Sequence, residues 1–117
     1  MITVDHDPER VSLAVIGEFT LDDFTEFEEY LIDNELFDGT HDLLFDLTEM
    51  AGFTLDAAVE EIKFSRLHGS DFRRIAVVTD SQWVAWSAWL EKTFVKAEMR
   101  VFSDAGEAEG WLADEPL

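Results

Sequence analysis

The apolar positions of the chain change period several times, and each change marks an element. Residues 2–4 ("ITV") and 11–19 ("VSLAVIGEF") read as two strands around the turn "DHDPER". Pro8 suits the second position of a type I turn, with Asp7 ahead of it. In "TLDDFTEFEEYLIDNELF", Phe24, Phe27, Leu31 and Ile32 recur at helical spacing. Thr20 and Asp23 form a capping-box-like start, and Asp22 and Asp23 occupy the first turn, where the helix dipole favours negative charge. Asp38 and Gly39 then break the pattern.

The alternation continues through the second half. "HDLLFDL" is a short apolar run, which predicts a strand buried on both faces. "EMAGF" reads as a loop, and "TLDAAVEEIKFSRLHG" as a helix. Thr54 is its expected N-cap and Gly69 its stop, with Leu55, Val59, Ile62 and Leu67 pointing inward. "FRRIAVVTD" predicts a second buried strand. "SQWVAWSAWLEKTF" predicts a third helix, capped by Asp80 or Ser81. "AEMRVF" is a last strand, and "DAGEAEGWLADE" a short final helix pinned by Trp111 and Leu112.

The resulting order, β-β-α-β-α-β-α-β-α, implies an α/β fold. Strands alternating with helices build a mostly parallel sheet with right-handed crossovers and flanking helices, and the opening hairpin adds an antiparallel strand. No repeat, low-complexity tract or linker divides the chain, so residues 1–117 read as one domain.

Composition narrows the function classes. The chain has no cysteine, which removes disulfide frameworks, thiol catalysis and the usual zinc sites. It carries 27 acidic residues against 8 basic ones, a formal net charge of −19. Such a surface repels phosphate backbones and anionic lipid heads, so neither nucleic acid nor a membrane surface is an expected partner. The acidity fits a basic partner, adaptation to high salt (Lys63, Lys92 and Lys96 are the only lysines), or simply a self-repelling, soluble surface. No run approaches the ~20 apolar residues of a membrane span. The N-terminus lacks the basic-then-apolar order of a signal peptide, so a cytoplasmic protein is expected.

Catalytic constellations are missing from the sequence. His6, His41 and His68 fall in a turn, before a strand and at a helix end, with no metal-ligand spacing among them, so no metal and no cofactor is expected. There is neither a Gly-x-Ser-x-Gly elbow nor a glycine run ending in lysine. Arg73 and Arg74 open a strand in an otherwise acidic chain, where pairing with local carboxylates competes with capture of an anionic ligand.

Three tryptophans, Trp83, Trp86 and Trp89, stand at intervals of three. At ~100° per residue, Trp83, Trp86, Leu90 and Phe94 share one arc, the expected core stripe. Trp89 falls outside it, and an exposed tryptophan is a typical anchor of an interface or pocket. Met50 and Phe53 stand near the C-terminal end of a parallel strand, where α/β sheets bind ligands. The simpler role for Phe53 is to staple the next helix to the sheet.

"LLFDL" and "AVVTD" resemble strands of response-regulator receivers, but the paired early carboxylates and the closing lysine of that family have no counterpart here. A fuller resemblance is to the SpoIIAA-like family, related to the STAS domains of anti-sigma-factor antagonists. It is carried by "GEFTLDDF" (Gly17 to Phe24), "FRRIAVVTD" (Phe72 to Asp80) with a tryptophan following, "AEMRVF" (Ala97 to Phe102) and "EAEGWL" (Glu107 to Leu112). The resemblance implies a non-enzymatic binding module, and the fold also resembles the lipid-binding CRAL-TRIO domain. In the antagonist branch a serine at the start of the helix after the third strand is phosphorylated. The matching positions here are about Thr54 and Leu55, so the serine is absent, and Thr54 is expected to cap a helix rather than to take phosphate. The expectation is therefore a module acting through protein contacts, self-association as a homodimer included, through Trp89 and "EMAGF". The alternative is a carrier of a small apolar, lipid-like ligand held by Trp83, Trp86, Met50 and Phe53.

Overall fold

The computed structural model describes residues 1–37, 39–68, 71–81 and 98–113, with the backbone alone at 65 and 66. Its elements are β1 (Ile2–His6), β2 (Arg10–Phe19), α1 (Leu21–Asp33), β3 (Asp42–Phe53), α2 (Leu55–His68), β4 (Arg74–Val78), β5 (Glu98–Phe102) and α3 (Ala105–Ala113). The five strands lie side by side in chain order; β1 pairs antiparallel with β2, and every later pair is parallel. The helix expected over the tryptophan segment lies outside the described residues.

Local chemistry explains the turns and caps. Asp7 Oδ1 accepts from the amides of Glu9 and Arg10, both at 2.8 Å, and so closes the turn between β1 and β2. Those bonds, the Glu9 amide's first, hold the Asp7 carboxyl below its ordinary value despite some desolvation. At the start of α1 the capping box is complete: Asp23 N–H donates to Thr20 Oγ1 (3.3 Å), and Thr20 N–H donates to Asp23 Oδ2 (3.0 Å). The helix ends with Glu35 at φ 54, in the left-handed region that glycine usually fills, while Leu36 N–H reaches back to Leu31 O at 3.0 Å.

Alternate residues of the central strands feed two apolar layers. Val11, Leu13, Leu43, Ile75, Val77 and Met99 pack with Phe24, Phe27 and Leu31 of α1 and with Ala57 and Phe64 of α2. Leu44, Ala76 and Val78 face the other way and pack with Ala108 and Leu112 of α3. A ring cluster joins the helices on the first face: Phe64 lies 5.6 Å from Phe24, 5.8 Å from Phe27 and 5.9 Å from Phe37 between ring centroids.

Three expectations need correction. "EMAGF" is not a loop but the far half of β3: its residues pair with Ile16–Phe19 of β2 through two register shifts, one beside Gly17, whose φ of 76 suits glycine. That half of β3 lies beyond the β4 register, which ends at Asp46 opposite Val78, so the strand is buried only along its first half. Leu55, Val59, Ile62 and Leu67 are exposed, because α2 turns Ala57 and Phe64 to the sheet instead. Ile32 is likewise exposed at the end of α1, where Leu31 takes the core position.

Candidate partner-binding face

The long β2–β3 pair and the helix that follows it form the surface of interest. Phe53 ends β3 with its ring exposed, while Met50 is half-buried and packs against the main core. Thr54 N–H donates to Phe19 O at 3.0 Å, which ties the start of α2 to the end of β2. The Thr54 hydroxyl donates to Asp56 Oδ1 at 2.5 Å and accepts from the Ala57 amide at 3.4 Å. Thr54 is therefore the helix cap, with its hydroxyl engaged on both sides.

Beyond this cap α2 is apolar on two opposite sides. At ~100° per residue, Ala57 and Phe64 lie close together on the core side, and Leu55, Val59 and Ile62 fall within about 60° of one another on the far side. Those three are 83%, 50% and 40% exposed. Asp56 and Lys63 share one flank of this row, and among the described residues Lys63 Nζ reaches only Glu60 of its own helix, at 3.3 Å across an exposed pair. A helix that is apolar on both sides normally has a neighbour on each.

The sequence pattern alone picked the wrong stripe as the core face, because the outward row holds three large aliphatic residues and the inward side pairs one large residue with alanine. The signal that could have corrected it is Phe64, the only phenylalanine of α2, which demands the space that the Phe24, Phe27 and Phe37 rings provide. Trp83, Trp86 and Trp89 lie outside the described residues, so Met50 and Phe53 are the only expected contact residues with a described position. They differ in kind: Met50 belongs to the core margin and Phe53 to the surface.

The opposite end of the sheet holds a shallow crevice of about 350 Å³ lined by His6, Asp7, Pro8, Asn34, Glu35, Leu36 and His41. His6 Nδ1 lies 2.6 Å from the Tyr30 hydroxyl. Among the described residues no group of three or more His, Asp or Glu side chains could hold a metal ion. Nor is any helix among them long and apolar enough to cross a membrane. Arg73 and Arg74 are committed within the fold. Arg73 pairs bidentately with Asp42, and Arg74 donates from Nη1 to Trp111 O at 2.8 Å while lying 5.3 Å from the centre of the Trp111 ring.

Comparison with known proteins adds a lineage to this geometry. A family model described as SpoIIAA-like matches residues 10–113. An uncharacterised protein with a SpoIIAA-like fold from Shewanella loihica superposes with a TM-score of 0.78 at 23% identity, over 97% of this chain and 93% of that one. An anti-sigma factor antagonist from Mycobacterium paratuberculosis superposes with a TM-score of 0.60 at 17% identity, over 97% of this chain and 96% of that one. At these identities the likeness is one of fold. No curated protein matches the chain.

Proposed function

The chain belongs to the SpoIIAA-like family, and from that premise we propose a non-enzymatic regulatory module that acts by binding protein, with the outward side of α2 and the adjoining Phe53 as its contact surface. One observation carries the reading: Leu55, Val59 and Ile62 form a continuous apolar row directed away from the core. Covering a large aliphatic side chain is worth roughly 1.5–3 kcal/mol, so leaving three of them in water favours a partner. The structural likeness to an anti-sigma factor antagonist agrees with a protein as that partner. Thr54 acts as a structural cap in this reading, and control by phosphorylation of a serine at that point has no residue to work on.

A benzoylphenylalanine placed at position 59 and irradiated in cells tests it. The expected result is a covalent protein adduct, identified by mass spectrometry and lost when Ile62→Asp is added. An absence of adducts at position 59 overturns the reading.

The carrier of a small apolar ligand is the second reading, favoured by Met50, which remains half-exposed at the margin of the main core. Native mass spectrometry of freshly purified protein distinguishes it, since a carrier retains its ligand as added mass and a clean apo mass opposes it.

A further inference from the structure

We infer that the occupant of the outward side of α2 is a second copy of the same helix, lying antiparallel across a two-fold axis between Val59 and Ile62. The inference rests on the proposed contact face and adds the identity and orientation of what covers it. Leu55, Val59 and Ile62 are spaced four and then three residues apart, the spacing that keeps one seam of a helix against another helix. All three are exposed. Among the described residues this seam has no mate.

Charge fixes the direction. Asp56 and Lys63 stand seven residues apart, two helical turns, and so share one flank of the seam. In an antiparallel pair, equivalent flanks of the two helices meet. Val59 then packs on the second copy's Ile62, and Asp56 comes within a turn of the second copy's Lys63. The reciprocal pair forms on the same flank. A parallel two-fold pair would instead carry the two Asp56/Lys63 flanks to opposite sides of the seam, where neither copy's Asp56 meets the other's Lys63, and would also align the helix dipoles unfavourably. Asp56 keeps its local role, since Oδ1 accepts from the Thr54 hydroxyl and the Ala57 amide and a carboxylate has further lone pairs. Lys63 is 68% exposed and, among the described residues, contacts only Glu60 across a surface pair weak enough to exchange.

The net charge of −19 sets the conditions. Two such bodies repel at long range, and salt screens that repulsion over about 10 Å at 0.1 M. The seam is short and apolar and is hardly screened. Association therefore strengthens as salt rises, the reverse of a contact held by opposite net charges.

Sedimentation equilibrium of the purified chain, from about 0.02 M to about 0.5 M NaCl, tests the inference. The expected result is a reversible monomer–dimer equilibrium that tightens with salt. Val59→Asp leaves only monomer at every concentration. Lys63→Glu weakens the dimer about tenfold, and the double swap Asp56→Lys/Lys63→Glu restores it to within about threefold of the parent. Circular dichroism checks that each variant is folded, the double swap above all, because Asp56→Lys gives up the carboxylate that accepts from the Thr54 hydroxyl and the Ala57 amide.

Monomer throughout, or a dimer unchanged by Val59→Asp, overturns the inference. Failure of the double swap to rescue overturns the antiparallel direction. If the chain is monomeric while position 59 still crosslinks to a different protein in cells, the contact face stands and its occupant is that protein. If neither association nor crosslinking occurs, both readings fall.

Discussion

Leu55 and Ala57 stand two residues apart in the first turn of α2 and face opposite ways: Ala57 is fully buried, while Leu55 is 83% exposed. The helix therefore has a core side and a separate apolar side, and substitutions on the two sides should behave differently. Phe64→Ala removes a ring packed among Phe24, Phe27 and Phe37 and should cost about 3–5 kcal/mol of folding stability. Val59→Asp on the other side should stay within about 0.5 kcal/mol of the parent at concentrations low enough that both are monomeric. Urea denaturation of both variants checks this, and equal losses would place Val59 in the core.

The ends of β3 and β4 are clamped by a second relationship that the sequence pattern hid. Arg73 Nε donates to Asp42 Oδ1 at 3.0 Å and Nη2 donates to Oδ2 at 2.9 Å, with Asp42 almost fully buried and Arg73 half in solvent. The two deletions are accordingly unequal. Arg73→Ala strands a buried carboxylate and should cost about 2–3 kcal/mol. Asp42→Asn leaves a guanidinium that water can reach and should cost roughly 1 kcal/mol. The order of the two melting temperatures tests the asymmetry.

Glu35 holds a left-handed backbone with a side chain that disfavours it. Glu35→Gly should raise stability by about 1 kcal/mol, because glycine takes this position at the end of a helix without the Cβ penalty. A lower melting temperature would mean that the Glu35 side chain contributes more than the backbone strain costs.

At the start of α1, burial pushes the Asp23 carboxyl up. The Thr20 amide and hydroxyl and the N-terminal ammonium, 3.4 Å away, together hold it below its ordinary value near 3.8. A carboxyl depressed in the folded state contributes stability that is fully present above its unfolded value and is lost as pH falls through the folded one. Asp23→Asn should therefore cost about 1 kcal/mol at pH 7, and its cost should shrink below about pH 4. A cost that does not change with pH would show the bonds of the cap, not its charge, to be what matters.

Much of the fold was legible because local signals agreed with the global arrangement. The Thr20–Asp23 capping box, the Asp7 turn, and the alternation of strands with helices each act over a few residues. The failures lie where distant packing decides. "EMAGF" carries a glycine and reads as a break, yet pairing with β2 draws it into a strand. On α2 two arcs of similar apolar character compete, and the Phe24, Phe27 and Phe37 rings from distant elements select the arc bearing Phe64. Asp42 looked like an ordinary polar position beside an apolar run, since its partner Arg73 is 31 residues away. Of the candidate contact residues, Phe53 was legible as a strand-end aromatic, whereas the Leu55, Val59 and Ile62 row was read as core.

The absence of cysteine in the parent chain gives the most direct measurement of the contact face. Single cysteines at Val59 on α2 and at exposed Thr25 on α1 can be labelled with a maleimide in dilute purified protein and in intact cells. If the outward side of α2 is a contact surface, the two label at similar rates in dilute solution, and in cells the cysteine at 59 is protected by at least about tenfold relative to that at 25. Equal labelling of the two positions in cells would contradict it.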